Sequence, residues 1–224
     1  MLINYWGLFA LIKISPSILT ADFLNLDADI KELEKAGVDM LHLDVMDGIF
    51  VPNLSFGVPL IKSIKEHTNI PLDVHLMIDR PHRYIEDFAK YSDILGFHYE
   101  AGSDNKELLK KIRELGCKSC ITIKPCTEPE KIFDLLELCD MVLVMSVEPG
   151  FGGQKFMPEA LDKLKTLRDE CERRGLDIDI EVDGGINGET APLAVEAGAN
   201  VLVAGSYIFS AENMAERVKG IKSL

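Results

Sequence analysis

Apolar positions along the chain repeat with two periods that take turns. Over residues 22–35, Phe23, Leu26, Ile30 and Leu33 fall on one face of a helix, and Gly37 then reads as a stop. Over 40–44 the period drops to two, and Leu41 and Leu43 alternate with His42 and Asp44. The exchange of periods continues to the C-terminus. Strands are predicted over 12–17, 40–44, 71–76, 94–98, 118–123, 141–145, 179–182 and 201–204. Helices are predicted over 22–35, 58–66, 83–90, 106–115, 129–138, 158–174, 190–197 and 212–222. Strand then helix, eight times over, implies parallel strands joined by crossover helices. The run 141–145 is apolar throughout, as a parallel strand buried on both faces should be. Eight such units close into an α/β structure, a (β/α)8 barrel. An open doubly wound sheet would more often carry G-x-G-x-x-G after its first strand, where Ser15-Pro16-Ser17 stands instead.

No linker or low-complexity stretch divides the chain, so residues 13–224 read as one barrel domain. Residues 1–12 are mostly apolar and read as an N-terminal extension whose role the sequence leaves open. They are too short to span a bilayer, and they lack the basic start and small-residue cleavage pattern of a signal peptide. The net charge of −13 argues against nucleic-acid and anionic-membrane partners, which call for basic patches. A phosphorylated substrate would have to be held locally, against that charge. Five cysteines, an odd number scattered through apolar segments, fit a reduced cytoplasmic chain. Cys117 and Cys120 form a C-x-x-C, but three residues along a strand reverses the facing, so they do not converge on one ion.

In a barrel of this type the C-terminal ends of the strands meet at one mouth. The side chains expected there are Ser17, His42 with Asp44, His75, His98, Lys124, Met145, Asp183 and Ser206. A strand in contact with water would turn His42 and Asp44 outward. Ending at a mouth, next to His75 and Asp183, they form a two-imidazole, two-carboxylate set suited to a divalent metal. Glycines cluster after three neighbouring strands: Pro149-Gly150-Phe151-Gly152-Gly153-Gln154, Asp183-Gly184-Gly185 and Ala204-Gly205-Ser206. Glycine lets backbone N–H groups come close to an anion, and barrels often hold phosphate at the loops after strands seven and eight.

These residues carry a resemblance. Pro16-Ser17-Ile18-Leu19, the stretch 41–53, His75-Leu76-Met77, the stretch 144–156, Glu181-Val182-Asp183-Gly184-Gly185 and Gly205-Ser206 together resemble the ribulose-phosphate 3-epimerase family, from about residue 14 to the C-terminus. The resemblance implies a (β/α)8 barrel that binds one divalent ion, zinc first, with iron, manganese or cobalt as alternatives. It implies ligands His42, Asp44, His75 and Asp183, and an acid/base pair of Asp44 and Asp183. It places Ser17 and His75 beside the substrate and lines the reacting carbons with Met46, Met77 and Met145. The phosphate would meet backbone N–H groups of Gly152, Gly153, Gly184, Gly185, Gly205 and Ser206. The implied reaction interconverts D-ribulose 5-phosphate and D-xylulose 5-phosphate by proton transfer at C3 through an enediolate, a step of the pentose phosphate pathway. Homo-oligomers of two or six copies are also implied. Two rival readings stand beside it: an epimerase for D-allulose 6-phosphate on the same site, and a Schiff-base aldolase using Lys124. Ser146 stands where the family often has Thr, and Ile49, Cys126 and Tyr207 also depart from its pattern.

Overall fold

Eight parallel strands are the frame on which every candidate side chain is mounted. A computed structural model of the chain describes residues 11–224; the apolar opening stretch, apart from its last two residues, lies outside the described residues. The strands are β1 (Lys13–Ser15), β2 (Leu41–Met46), β3 (Leu72–Met77), β4 (Ile94–His98), β5 (Lys118–Ile123), β6 (Met141–Met145), β7 (Asp179–Asp183) and β8 (Val201–Val203). Around them lie α1 (Leu26–Ala36), α2 (Val58–His67), α3 (Ile85–Ala89), α4 (Asn105–Glu114), α5 (Ala160–Arg174), α6 (Thr190–Glu196), α7 (Ser206–Phe209) and α8 (Met214–Lys222). The sheet runs β1-β8-β7-β6-β5-β4-β3-β2. A parallel bridge from Ser17 to His42, with the His42 N–H donating to the Pro16 carbonyl at 3.0 Å, joins β1 to β2 and closes the cylinder.

The period of two separates the two sides of this wall. Leu41, Leu43 and Val45, Val74 and Leu76, Val142 and Val144, and Ile180 and Val182 face outward into the large buried cluster shared with the helices. The inward set is different. Near the base it is Met40, Ile94, Met141, Leu143 and Val201, in a second cluster with Cys120. Higher up it is buried and polar: Ser15, His42, Asp44, Asp73, His75, His98 and Glu181. The alternation read from β2 is therefore polar-in and apolar-out, the reverse of a strand that borders water. The C-x-x-C divides as expected. Cys117 faces the helix layer and donates to the Ser92 carbonyl at 3.2 Å, while Cys120 sits inside the barrel.

Three departures from the predicted elements have local causes. The helix predicted over 129–138 is two 3-10 turns, Pro129–Ile132 and Leu136–Leu138. Arg174 of α5 donates to the Phe133 carbonyl at 2.8 Å, and Arg113 of α4 donates to the Glu137 carbonyl at 3.3 Å. Those carbonyls are satisfied from outside the segment rather than by N–H groups four residues on. The first helix starts late because the Asp22 carboxylate accepts from the Leu24 N–H at 3.0 Å and closes a turn of its own. Phe23, expected on the buried face, is half exposed and packs on Phe56, ring centroids 5.9 Å apart. Finally, one turn of helix, α7, follows β8 where a loop was expected.

The loop after β5 is tied down from the helix layer. Lys163 of α5 is buried and donates to the carbonyls of Pro125 and Thr127, both at 2.6 Å. Removing a charged donor strands two carbonyls, so Lys163→Met is expected to destabilise the fold by roughly 1.5–3 kcal/mol. A shift of the urea midpoint with an unchanged slope is the signature to look for.

Candidate active site

The register of β2, β3 and β7 builds the site. His42 lies opposite Asp73 and Asp44 opposite His75 across the β2–β3 ladder. Met145 of β6 lies opposite Asp183 of β7. His42 Nδ1 is 2.6 Å from Asp73 Oδ2. The carboxylate can only accept, so Nδ1 carries a proton and Nε2 is the nitrogen turned to the mouth. His42 Nε2 lies 3.3 Å from Asp44 Oδ1, 3.3 Å from His75 Nδ1 and 4.0 Å from Asp183 Oδ2. His75 Nδ1 lies 3.1 Å from Asp44 Oδ1. One donor atom from each of His42, Asp44, His75 and Asp183 falls within 4.8 Å of all the others. Two donors held by a common ion at ordinary zinc–nitrogen and zinc–oxygen lengths sit about 3–4.4 Å apart. The donor set has the size and the mixed imidazole–carboxylate chemistry of a divalent-metal site, and all four residues are the ones singled out in the sequence.

The rest of the mouth follows. Ser17, Asp44, Met46, Met77, Met145, Asp183 and all six glycine-loop residues, Gly152, Gly153, Gly184, Gly185, Gly205 and Ser206, line one cavity of about 540 Å³, counting the part open to solvent. His42 and His75 lie beneath it, wholly buried. Ser17 Oγ donates to Asp44 Oδ2 at 2.6 Å. Met46 and Met77 pack with Val51, Leu19 and Phe50 into a small apolar cluster. Gly185 has φ +64°, and a Cβ there would lie 2.3 Å from the Phe156 nitrogen, so the loops after β7 and β6 touch through backbone alone. Ser146 fastens the same junction, donating to the carbonyls of Asp183 at 2.9 Å and Gly184 at 2.7 Å. Lys124 stands apart. Its ammonium lies 3.8 Å from the centroid of the Phe50 ring, and it is not among the residues lining the cavity.

The two carboxylates differ. Burial would raise Asp44, but the His42 charge and hydrogen bonds to both imidazoles outweigh it and hold it far below the usual carboxylate range. Asp183 has no hydrogen bond from a described side chain; burial, and then the Asp44 charge, push it up to about 7. His42 is raised, since the charges of Asp44 and Asp73 outweigh its burial, whereas burial dominates at His75 and lowers it.

Four residues of the surrounding network were not picked out as functional from the sequence, or were left without a role. Asp73 orients His42. Glu181 lies 3.7 Å from His42 Nδ1, and its carboxyl oxygens are buried with no hydrogen-bond partner among the described residues; burial and the Asp73 charge raise it well above its usual range. His98 Nε2 lies 2.9 Å from His75 Nε2, and Glu100 Oε2 lies 3.4 Å from His98 Nδ1. A signal for them existed. Each stands two residues from another ionisable group, as Asp73-Val74-His75, His98-Tyr99-Glu100 and Glu181-Val182-Asp183, the spacing that marked His42 and Asp44.

The ribulose-phosphate 3 epimerase family matches residues 13–209. The chain belongs to this family. Its curated relatives include the ribulose-phosphate 3-epimerase of Synechocystis, 47% identical over 95% of this chain and 94% of the relative, and that of Bacillus subtilis, 45% identical over 95% and 99%. A solved structure of 3-hexulose-6-phosphate synthase from Salmonella typhimurium superposes with a TM-score of 0.69 over 95% of this chain and 97% of its own, at 20% identity, a likeness of fold. As a member of the epimerase family the chain is an isomerase. No helix of the described residues is long and apolar enough to cross a membrane.

The contact at Gly185 makes a direct demand on sequence. Gly185→Ala combines a left-handed backbone with a collision against Phe156, and should cost at least about 1–3 kcal/mol. A thermal midpoint equal to that of the parent protein would show that the loop after β6 yields to the added methyl.

Proposed function

We propose that this chain is a divalent-metal-dependent epimerase that interconverts D-ribulose 5-phosphate and D-xylulose 5-phosphate. The observation that carries the reading is the pairing of Asp44 with Asp183. The two carboxylates stand on neighbouring sides of one cavity, close enough to share a cation, with environments that push their proton affinities apart. Inverting a carbon next to a carbonyl requires a base on one face and an acid on the other. Asp44 is kept charged by Ser17, His42 and His75 and is ready to accept a proton from C3. Asp183, without a side-chain donor and 4.0 Å from the nearest imidazole, is the carboxylate left to take up a proton and deliver it to the opposite face; the reverse reaction exchanges the roles. Proton removal from so weak a C–H acid leaves an enediolate, and a divalent ion held by His42, Asp44, His75 and Asp183 supplies positive charge there as a Lewis acid. Zinc suits this donor set best, with iron, manganese and cobalt as alternatives.

The remaining roles follow from position. Met46, Met77 and Met145 give the reacting carbons an apolar, pliable wall that excludes water. Backbone N–H groups of Gly152, Gly153, Gly184, Gly185, Gly205 and Ser206 hold the phosphate and supply remote binding energy. Backbone donors also meet the difficulty set by a net charge of −13, since they attract an anion without a basic cluster. Nothing in the cavity favours a Schiff base, because Lys124 lies on the Phe50 ring. A cytoplasmic setting is supported by the unpaired cysteines, whereas a place in the pentose phosphate pathway and an assembly of two or six copies rest on the family resemblance.

Turnover of purified D-ribulose 5-phosphate tests the reading. Asp183→Asn is expected to lower kcat about 10²–10⁴-fold with the circular dichroism spectrum unchanged, and near-normal turnover would remove Asp183 from proton transfer. Chelation should abolish activity, with recovery on adding Zn²⁺, Fe²⁺, Mn²⁺ or Co²⁺. Full activity in protein shown by elemental analysis to hold no metal would defeat the Lewis-acid role.

A further inference from the structure

His75 reaches the ligand cluster through Nδ1, which leaves Nε2 pointing away from it, 2.9 Å from His98 Nε2. Two imidazole nitrogens at that distance share one proton: one donates and the other accepts. Nothing about the pair alone decides which. The next residue in the row can. His98 Nδ1 lies 3.4 Å from Glu100 Oε2, a charge contact just short of hydrogen-bond geometry, and neither buried atom has a hydrogen-bond partner among the described residues, so each is the group left to satisfy the other. The other oxygen of Glu100 is fixed, accepting from the Lys124 N–H at 3.0 Å and from the Thr127 hydroxyl. Those residues sit on the loop that Lys163 tethers from α5.

We propose that Glu100 and His98 form a positioning relay that sets the tautomer of His75, so that its cluster-facing Nδ1 is free to bind a cation. A carboxylate only accepts, so Glu100 holds the proton of His98 on Nδ1. His98 Nε2 then has only a lone pair, and His75 must donate to it from Nε2. A neutral imidazole with its proton on Nε2 has a bare Nδ1; while no cation is bound the Asp44 carboxylate, 3.1 Å from Nδ1, competes for that proton, and the relay is the pull that draws it to Nε2. Donation thus runs outward, from His75 to His98 to Glu100, over two contacts between buried atoms. On the other ligand, Asp73 does in one step for His42 what these residues do in two for His75. Metal-binding histidines ordinarily give their second N–H to an acceptor that fixes the ring; here that acceptor is another histidine, itself fixed by a carboxylate. The relay rests on the metal reading above, and it assigns His98 and Glu100 a function that contact with substrate does not supply.

Glu100→Gln reverses the polarity at one atom. The side-chain carbonyl of the glutamine stays with the Lys124 N–H and the Thr127 hydroxyl, so its NH₂ group faces His98. Two donors then meet, and the favoured escape moves the His98 proton to Nε2 and the His75 proton to Nδ1, where it blocks the cation. The full-length protein loaded with Zn²⁺ is titrated against a competing chelator, and the ring nitrogens of ¹⁵N-histidine-labelled protein are followed by long-range ¹H–¹⁵N correlation. Zn²⁺ affinity is expected to fall about 10–100-fold in Glu100→Gln, with a thermal midpoint of the zinc-free protein close to that of the parent. In the Zn²⁺-loaded parent protein His98 should carry its proton on Nδ1 and His75 on Nε2. Equal Zn²⁺ affinity in the two proteins overturns the relay, while a parent protein that binds no divalent ion overturns the metal reading and the relay with it. Should Glu100→Gln not fold, the parent spectrum decides: a His98 proton on Nε2 ends the proposal.

Discussion

Ionisable side chains buried inside a closed barrel are the constraint to which the rest of this structure answers. Four strands each bring a pair spaced by two residues or its beginning: His42 and Asp44, Asp73 and His75, His98 and Glu100, Glu181 and Asp183. An isolated charge in such a place costs far more than a domain can spare, so each must find a partner or lose its charge. The partners come from the register. Parallel pairing sets His42 beside Asp73 and Asp44 beside His75, so that acids and imidazoles alternate across the ladder as well as along it. Acids outnumber imidazoles at the centre, and the surplus is what makes a divalent cation a fitting occupant. The outward side of the same strands is aliphatic, and it is the helix layer packed there that keeps the cylinder closed and the interior dry.

This arrangement explains what could be read from the chain in advance. The eight strands were legible because each is short, apolar on at least one face and bounded by helical spacing. His42, Asp44, His75 and Asp183 were legible because strand ends in a parallel barrel converge, which needs no knowledge of which strand neighbours which. Asp73 and Glu181 were not read as functional. They lie one pleat deeper, and their role depends on the cross-strand partner, which a single strand does not reveal. The same limit applies to residues 129–138, whose helical spacing is sound. Their carbonyls are claimed by Arg113 and Arg174, residues distant in sequence. Phe23 had the right spacing for a buried face, and a local turn closed by Asp22 removed it from the helix.

Net acidity and phosphate chemistry are reconciled by the division of labour around the mouth. One side concentrates carboxylates and imidazoles on β2, β3 and β7. The other side, after β6, β7 and β8, offers backbone and small side chains with no acid but Asp183 among the cavity-lining residues there. The glycines let these loops pack against one another through main chain, as at Gly185 and Phe156, which leaves room for a ligand while keeping the loops together. Three methionines, Met46, Met77 and Met145, line the same cavity with pliable apolar side chains.

Two aspartates of one cluster differ because they do not meet the imidazoles equally. Asp44 is closer to their charge, 3.3 Å from His42 Nε2, and takes hydrogen bonds as well. Asp44 accepts from Ser17 and faces His75 at 3.1 Å, and it is nearly wholly buried in a shell of donors. Asp183 has no such donor within the described residues and meets the nearest imidazole only at 4.0 Å. One carboxylate is therefore held as an anion by its surroundings and the other is left to respond to what enters the cavity. A symmetric pair would bind a cation as well, but neither member would be the natural carrier of a proton. The difference comes down to strand register, which sets Asp44 against two imidazoles and leaves Asp183 4.0 Å from His42.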